Sequence, residues 1–441
     1  MASNFKRFQV FYYTKLVRPT ALYLFERSPH FYKFVRLIFR TVVHSWKVIS
    51  YPFYEYTPIP TVEQRTIYLP RNRFSSIKGE TGIGRVEKFF SESLLNDKDL
   101  DFRVVPVEWD GLRFILVDSN SEFSVKKKGI RKNIMVWNPR EDDIIFLQNF
   151  SIIYNINKWQ LRRLGKAYKI IINIYDILPI SHPEWFKSYM NNSFIHIFDL
   201  AWKNAHAMII NCTGTRNEIE EYVSIKRELM ESKHPLIKDV NLWSVAKSPS
   251  AQIIISSESL PSLFANSHPT ILLLSTVEPR KGHKELIDAA KIAWANGAKF
   301  NLLFIGRLGW ISQSFKEEFD EFLHQHPENS IWLNNVGDDE LEGRINAADI
   351  LISPSLGEGY GLPIPEALKR GKPVLANAIP PYKELFGSHL VLYGANEQFS
   401  DLEDALKNIM SVIEIGNDLI KTKPLPARDT YQEFTEVLRS I

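Results

Sequence analysis

The 441-residue chain is 44% hydrophobic and 24% charged with a formal net charge of +3, which supplies material for two globular cores and excludes a disordered or fibrous chain. A single cysteine, Cys212, excludes a disulfide framework or a cysteine metal cluster within the chain and suits a reducing compartment. No run of eighteen uncharged apolar residues reads as membrane-spanning, and no apolar core with a small-residue cleavage site follows the N-terminus, so a cytoplasmic location is expected.

The charge is unevenly placed: residues 1–50 carry +8 and the other 391 carry −5. Ser28-Pro29 reads as an N-cap with proline at the first helical position. Lys33, Arg36, Arg40, His44 and Lys47 then recur at helical spacing, opposite Phe34, Ile38, Phe39, Val42, Trp46 and Ile49. Such a helix either lies on an anionic membrane surface, peripheral at its cytoplasmic face, or packs its apolar arc onto the protein. Nucleic acid is not expected, because the remainder is acidic and carries no binding motif.

A Pro-rich turn at Tyr56–Thr61 closes this appendage, 1–60. A first Rossmann-like domain, 61–235, opens with the strand Arg65–Pro70. After a polar loop, the glycines of Gly79-Glu-Thr-Gly82-Ile-Gly84-Arg85 read as a turn opening a helix from Val86 to Leu95. Strand, glycines and helix N-terminus together suit an anion, although a lone GxGR is a weak motif. Strands over 102–107, 143–148, 170–174 and 208–211 alternate with helices, so the domain should be doubly wound, with ligands at the carboxyl ends of its strands. One such end is Tyr175-Asp176-Ile-Leu-Pro-Ile-Ser-His182. Asp176 either faces the crevice or caps the loop, and His182 either acts or packs.

The stretch 225–268 shows no clear period, and a second domain is expected over 236–425. The strand Thr270–Ser275 runs into Glu278-Pro279-Arg280-Lys281-Gly282-His283 and a helix, placing two cations where a diphosphate could sit. Strands at 300–305 and 331–336 follow. The apolar strand Asp349–Ser353 leads to Gly357-Glu358-Gly359-Tyr360-Gly361-Leu362-Pro-Ile-Pro-Glu366, and a helix stops at Gly371 and Pro373. Loop and helix N-terminus offer free N–H groups to an anion, while each carboxylate can accept two hydrogen bonds from a sugar diol. A last helix, within 426–441, is expected to cross back to the first domain.

The segments EPRKG (278–282), GRLGW (306–310), the run from Asp338 to Val374, and PPYKEL (380–385) resemble the donor domain of family 4 retaining glycosyltransferases, mannosyl- and rhamnosyltransferase-like. The resemblance is looser over the first domain and covers about 65–440. It implies the GT-B fold: α/β, two Rossmann-like domains facing a cleft. It also implies roles for the matching residues. Glu358 would orient the donor sugar, Gly359, Tyr360, Gly361 and Leu362 would line its site, and Glu366 would bind the ribose. Lys281 with Arg280 would neutralise the diphosphate, so that no metal and no cofactor is needed. Gly82 and Gly84 would let the first domain approach donor phosphate or acceptor. Many relatives have His-Asp-Leu where this chain has Tyr175-Asp176-Ile; tyrosine is no base near neutral pH, so Asp176 becomes the first domain's catalytic candidate.

The expected activity is then transfer, with retention, of a hexose or deoxyhexose from a nucleotide-diphosphate sugar to a glycan or lipid-linked acceptor in surface polysaccharide synthesis. A metal-dependent single-domain transferase would need a strand-end Asp-x-Asp. Asp97-Lys-Asp99 and Asp99-Leu-Asp101 match the letters but lie in a polar turn. A nicotinamide-dependent dehydrogenase would need G-x-G-x-x-G and an acid at the next strand end, which neither half has. A non-catalytic sugar-nucleotide binder would keep the fold without needing Glu358, Glu366 and Lys281 together.

Overall fold

A computed structural model describes residues 64–70, 82–109, 114–116, 140, 142–149, 158–247, 263–334 and 336–441. The basic segment 1–50 and the Pro-rich turn therefore lie outside the described residues. Two sheets carry the architecture. The first has seven strands: β1 Thr66–Pro70, β2 Arg103–Trp109, β3 Phe114–Leu116, β4 Ile144–Leu147, β5 Lys169–Asn173, β6 Ala207–Ile210 and β7 Leu236–Asp239. Their spatial order is β3-β2-β1-β4-β5-β6-β7. All neighbours are parallel except β3, which runs antiparallel to β2.

The second sheet holds β8 Thr270–Leu274, β9 Asn301–Ile305, β10 Ser330–Leu333, β11 Ile350–Ser353, β12 Val374–Asn377 and β13 Val391–Tyr393. It is wholly parallel, in the order β10-β9-β8-β11-β12-β13. Parallel strands are covered on both faces, which is why they read as near-continuous apolar runs; all five residues of β1 and all four of β4 are buried. Alternation assigns the faces. Ile67 and Leu69 belong to one apolar cluster and Tyr68 to another, and Leu272 is separated from Ile271 and Leu273 in the same way. The cluster with Ile67 also contains Tyr360 and Ile364, so apolar packing is continuous between the two sheets.

In both sheets the chain reverses its direction of winding beside the first strand, between β1 and β4 and between β8 and β11. Ligand crevices of open α/β sheets form outside the carboxyl ends at such points. Parallel pairing of β8 with β11 brings the loop after residue 274 beside the loop after residue 353, nearly eighty positions later.

Two sequence expectations are corrected, and one element was not foreseen. The glycines of GIGR do not form a turn ahead of the helix; the helix runs Gly82–Asn96, with Gly82 and Gly84 in its first turn. The boundary at 235/236 falls one strand early, because Leu236–Asp239 pairs with β6 in the first sheet. Its middle residues are half-buried and its ends exposed, so this edge strand lacks the apolar run that marks its neighbours. The short antiparallel β3 was not expected.

The C-terminal helix Thr430–Ser440 packs on the first domain. Asp429 caps it, accepting hydrogen bonds from the N–H groups of Tyr431 and Gln432. Phe434 is fully buried, its ring 4.7 Å from those of both Phe90 and Phe146. Burial of such a side chain is worth about 1.5–3 kcal/mol. At the rim, the Tyr431 hydroxyl donates to Asp97 at 2.7 Å, and the Asn241 N–H donates to Glu433 at 2.8 Å.

Candidate active site

The loop after β8 turns through the 3-10 segment Pro279–Lys281 into the helix His283–Ala295. The loop after β11 runs past Ser355 and Glu358 into the helix Pro363–Lys369. Their meeting creates a compact charge cluster. Arg280 Nη1 donates to Glu358 at 3.0 Å, Lys281 Nζ forms a short ion pair with its other oxygen, and Ser355 Oγ adds a third donor at 3.1 Å. The guanidinium also reaches Glu278 at 3.2 Å and the Gly357 carbonyl at 3.3 Å.

The electrostatics follow from burial. Desolvation alone would raise Glu358, but Lys281 and Arg280 outweigh it and hold the carboxyl at about 2. Burial and the neighbouring Arg280 lower Lys281. Glu278 is raised, chiefly by burial.

Asp176 comes from the other domain, just beyond β5. Its Oδ1 accepts from the Leu178 N–H at 3.2 Å, so it does cap its loop. It also interacts electrostatically with Arg280, Glu358 and Lys281, so it belongs to the same cluster; burial raises it, against the pull of Arg280. Two cations thus face three carboxylates. Burial raises Asp176 and Glu278 toward their neutral forms, which leaves Glu358 as the carboxylate the two cations hold ionised.

The glycines explain the close approach. A Cβ at Gly359 would lie 1.9 Å from the Tyr175 carbonyl oxygen of the first domain. Gly361 has φ +87, and a Cβ there would meet the Tyr382 ring at 2.5 Å. The side chains of Tyr360 and Leu362 are buried. The Tyr360 hydroxyl donates to Asn241 Oδ1 at 2.8 Å. Leu362 lies near Gly82, 3.5 Å from where a Cβ would stand. What these two can offer a small ligand is therefore backbone.

Glu366 stands in the first turn of its helix, 4% exposed, and pairs with Arg85 Nη1. Arg85 belongs to the Gly82–Asn96 helix, so this buried pair bridges the cleft, and its Nε is buried with no partner. His182 stands apart: it stacks on Trp185 at 4.1 Å and pairs with Glu184 at the surface. Sequence reasoning gave no role to Arg85 or Glu278. The signal for Arg85 was present, as the only charge beside the GIG glycines; Glu278 needed the fold. Among the described residues no group of three or more His, Cys, Asp or Glu side chains is arranged to hold a metal.

Comparison with known proteins bears on the fold and on the second domain's family. Residues 258–423 match the family described as "Glycosyl transferases group 1". The chain is 28% identical over 248 residues to the serotype-specific mannosyltransferase WbdA of Escherichia coli, a match covering 55% of this chain and 30% of that protein. The matched stretch thus spans under a third of that relative. Among solved structures, sucrose-phosphate synthase from Thermosynechococcus elongatus superposes with a TM-score of 0.55 at 14% identity, covering 86% of this chain and 94% of that one. Anabaena Alr3699/HepE, in complex with UDP-glucose, gives 0.55 at 16% identity over 85% of this chain and 100% of its own. These two likenesses are likenesses of fold. The chain is a two-domain α/β protein of GT-B fold, and over residues 258–423 it carries a domain of the glycosyl transferases group 1 family.

Proposed function

We propose that the protein is a retaining glycosyltransferase, moving a hexose or deoxyhexose from a nucleotide-diphosphate sugar to a glycan or lipid-linked acceptor in surface polysaccharide synthesis. The observation that carries this reading is the convergence of Arg280, Lys281 and Glu358 at the carboxyl ends of β8 and β11, facing Asp176 across the cleft. The named activity of WbdA makes mannose the first donor sugar to test.

In this reading the leaving diphosphate is neutralised by Lys281 and Arg280, and no metal is required for that charge. Glu358 orients the donor sugar and stabilises the oxocarbenium-like transition state, where fixed charges act at low cost of reorganisation. Gly359 to Leu362 contribute backbone, and Gly82 and Gly84 let the first domain's backbone approach donor phosphate or acceptor. Glu366 exchanges Arg85 for the ribose hydroxyls. Asp176, whose burial favours its neutral form, lies on the acceptor side. The close fit of Gly359 against Tyr175 excludes water from the reacting centre and limits hydrolysis. Residues 1–50, with +8, hold the protein on an anionic membrane at its cytoplasmic face; none of the described helices is long and apolar enough to cross one.

A thermal-shift panel of GDP-mannose, UDP-glucose and dTDP-rhamnose tests the reading, since a ligand bound only by the native state raises the melting temperature. One donor should stabilise the protein and release its nucleoside diphosphate when an acceptor is added. Binding without turnover would instead mark a non-catalytic sugar-nucleotide binder.

A further inference from the structure

The first-domain wall of the cleft holds a carboxylate that the reading above does not use. Glu87 lies two residues beyond Arg85 on the helix Gly82–Asn96, and its Oε1 is buried with no hydrogen-bond partner. One turn along the same face, Ser91 exchanges hydrogen bonds with the Gln148 side chain, which follows the carboxyl end of β4. The Tyr175 hydroxyl, beyond the end of β5, donates to the Gln148 carbonyl at 2.9 Å. Burial raises the Tyr175 hydroxyl, and Glu87 adds to the rise electrostatically, so the two are neighbours. Tyr175 is also the residue whose carbonyl meets Gly359. Glu87 thus lies beside Tyr175, the first-domain residue that meets the second domain at Gly359.

A buried carboxylate oxygen with no donor is expensive to maintain, and a hydroxylated ligand would supply the missing donor. Resting on the glycosyltransferase reading, we propose that Glu87 binds a hydroxyl of the acceptor sugar and orients it toward the donor. It is a positioning residue for acceptor and has no contact with the nucleotide. Burial raises its carboxyl to about 7, so ionisation of this group sets how well the acceptor hydroxyl is held. Among the described residues, the titratable group that interacts with it is Tyr175 from the β5 end; Arg85 and Lys88 are the charged residues nearest to it along its own helix. Arg85 is engaged by Glu366.

The test uses the full chain with its nucleotide-sugar donor and, as acceptor probes, the methyl glycosides of mannose, rhamnose, glucose and galactose. In the wild type the acceptor KM should fall as pH rises through about 7, as Glu87 ionises. Glu87→Gln, of the same shape, should raise the acceptor KM about ten-fold or more at pH 8, with a much smaller effect on kcat, and abolish that pH step. Glu87→Asp should restore part of both. Glu87→Gln should also raise the melting temperature at pH 8, because it removes a buried charge. An unchanged acceptor KM or a surviving pH step in Glu87→Gln overturns the inference, as does donor turnover with no transfer to any of the four sugars. Failure of every donor to bind or turn over would instead overturn the glycosyltransferase reading beneath it.

Discussion

Arg85 and Glu366 are separated by 281 positions in the chain, yet they form a buried ion pair that joins the two domains across the cleft. Breaking such a pair by removing one partner leaves an uncompensated charge, whereas a ligand that replaces the partner does not. The pair therefore marks a point where a polar ligand could take one partner's place, provided the ligand also answers the charge that it leaves unpaired.

From this follows the first prediction. Glu366→Ala should weaken nucleotide binding by about ten- to one-hundred-fold, the scale of losing hydrogen bonds to a charged group. Isothermal titration with the nucleoside diphosphate measures it, and unchanged affinity would remove Glu366 from the binding site.

Lys281 is buried against Glu358, and in the proposed reading it neutralises the leaving group. Lys281→Ala should lower kcat by about 10²-fold or more, comparable to other losses of transition-state charge contacts. Steady-state kinetics with saturating donor would show it. A change confined to KM would mean that the ammonium only binds ground-state substrate.

Gly359→Ala tests the domain approach. The added methyl cannot coexist with the Tyr175 carbonyl at 1.9 Å, so the loop or the whole domain must retreat. Activity should fall about ten-fold or more, since small displacements of reacting groups are costly. Small-angle scattering should report a more open protein. Full activity would show that closure of this contact is not part of catalysis.

Stability should respond to pH through His283, which is buried between Phe304 and Phe319 with Nδ1 unpartnered. Burial, then Lys281, lowers its ring to about 3. The folded form therefore stays neutral while the unfolded chain takes up a proton below its ordinary value. Stability is present above about pH 6.5 and is lost as pH falls toward 3. His283→Phe should flatten this acid limb, which is worth up to ~5 kcal/mol by linkage. Chemical denaturation between pH 7 and pH 4 tests it, and equal acid sensitivity in the variant would place the effect elsewhere.

Much of the second domain's frame was legible because its strand–loop–helix units are local in sequence. EPRKG and GEGYGLPIPE each lie in one strand–loop–helix unit, so their frame could be read before any tertiary contact was known. Long-range pairings were not legible. Nothing in the sequence says that Arg85 finds Glu366, or that Asn241 receives the Tyr360 hydroxyl. The edge strand Leu236–Asp239 carries no alternation, since its burial is slight, and its place was missed. Glycines were misread where permissiveness has two uses: Gly82 and Gly84 resemble a turn by composition but begin a helix whose later residues, Val86, Phe90 and Leu94, bury an apolar stripe.

The most direct test of the central claim is proton NMR of the full chain incubated with GDP-mannose, UDP-glucose or dTDP-rhamnose and a methyl glycoside acceptor, following the anomeric signals of donor and product. The account predicts release of nucleoside diphosphate with one donor, formation of a disaccharide of the same anomeric configuration as that donor, and loss of both in Lys281→Ala. A product of inverted configuration, or turnover undiminished by the loss of Lys281, would contradict it.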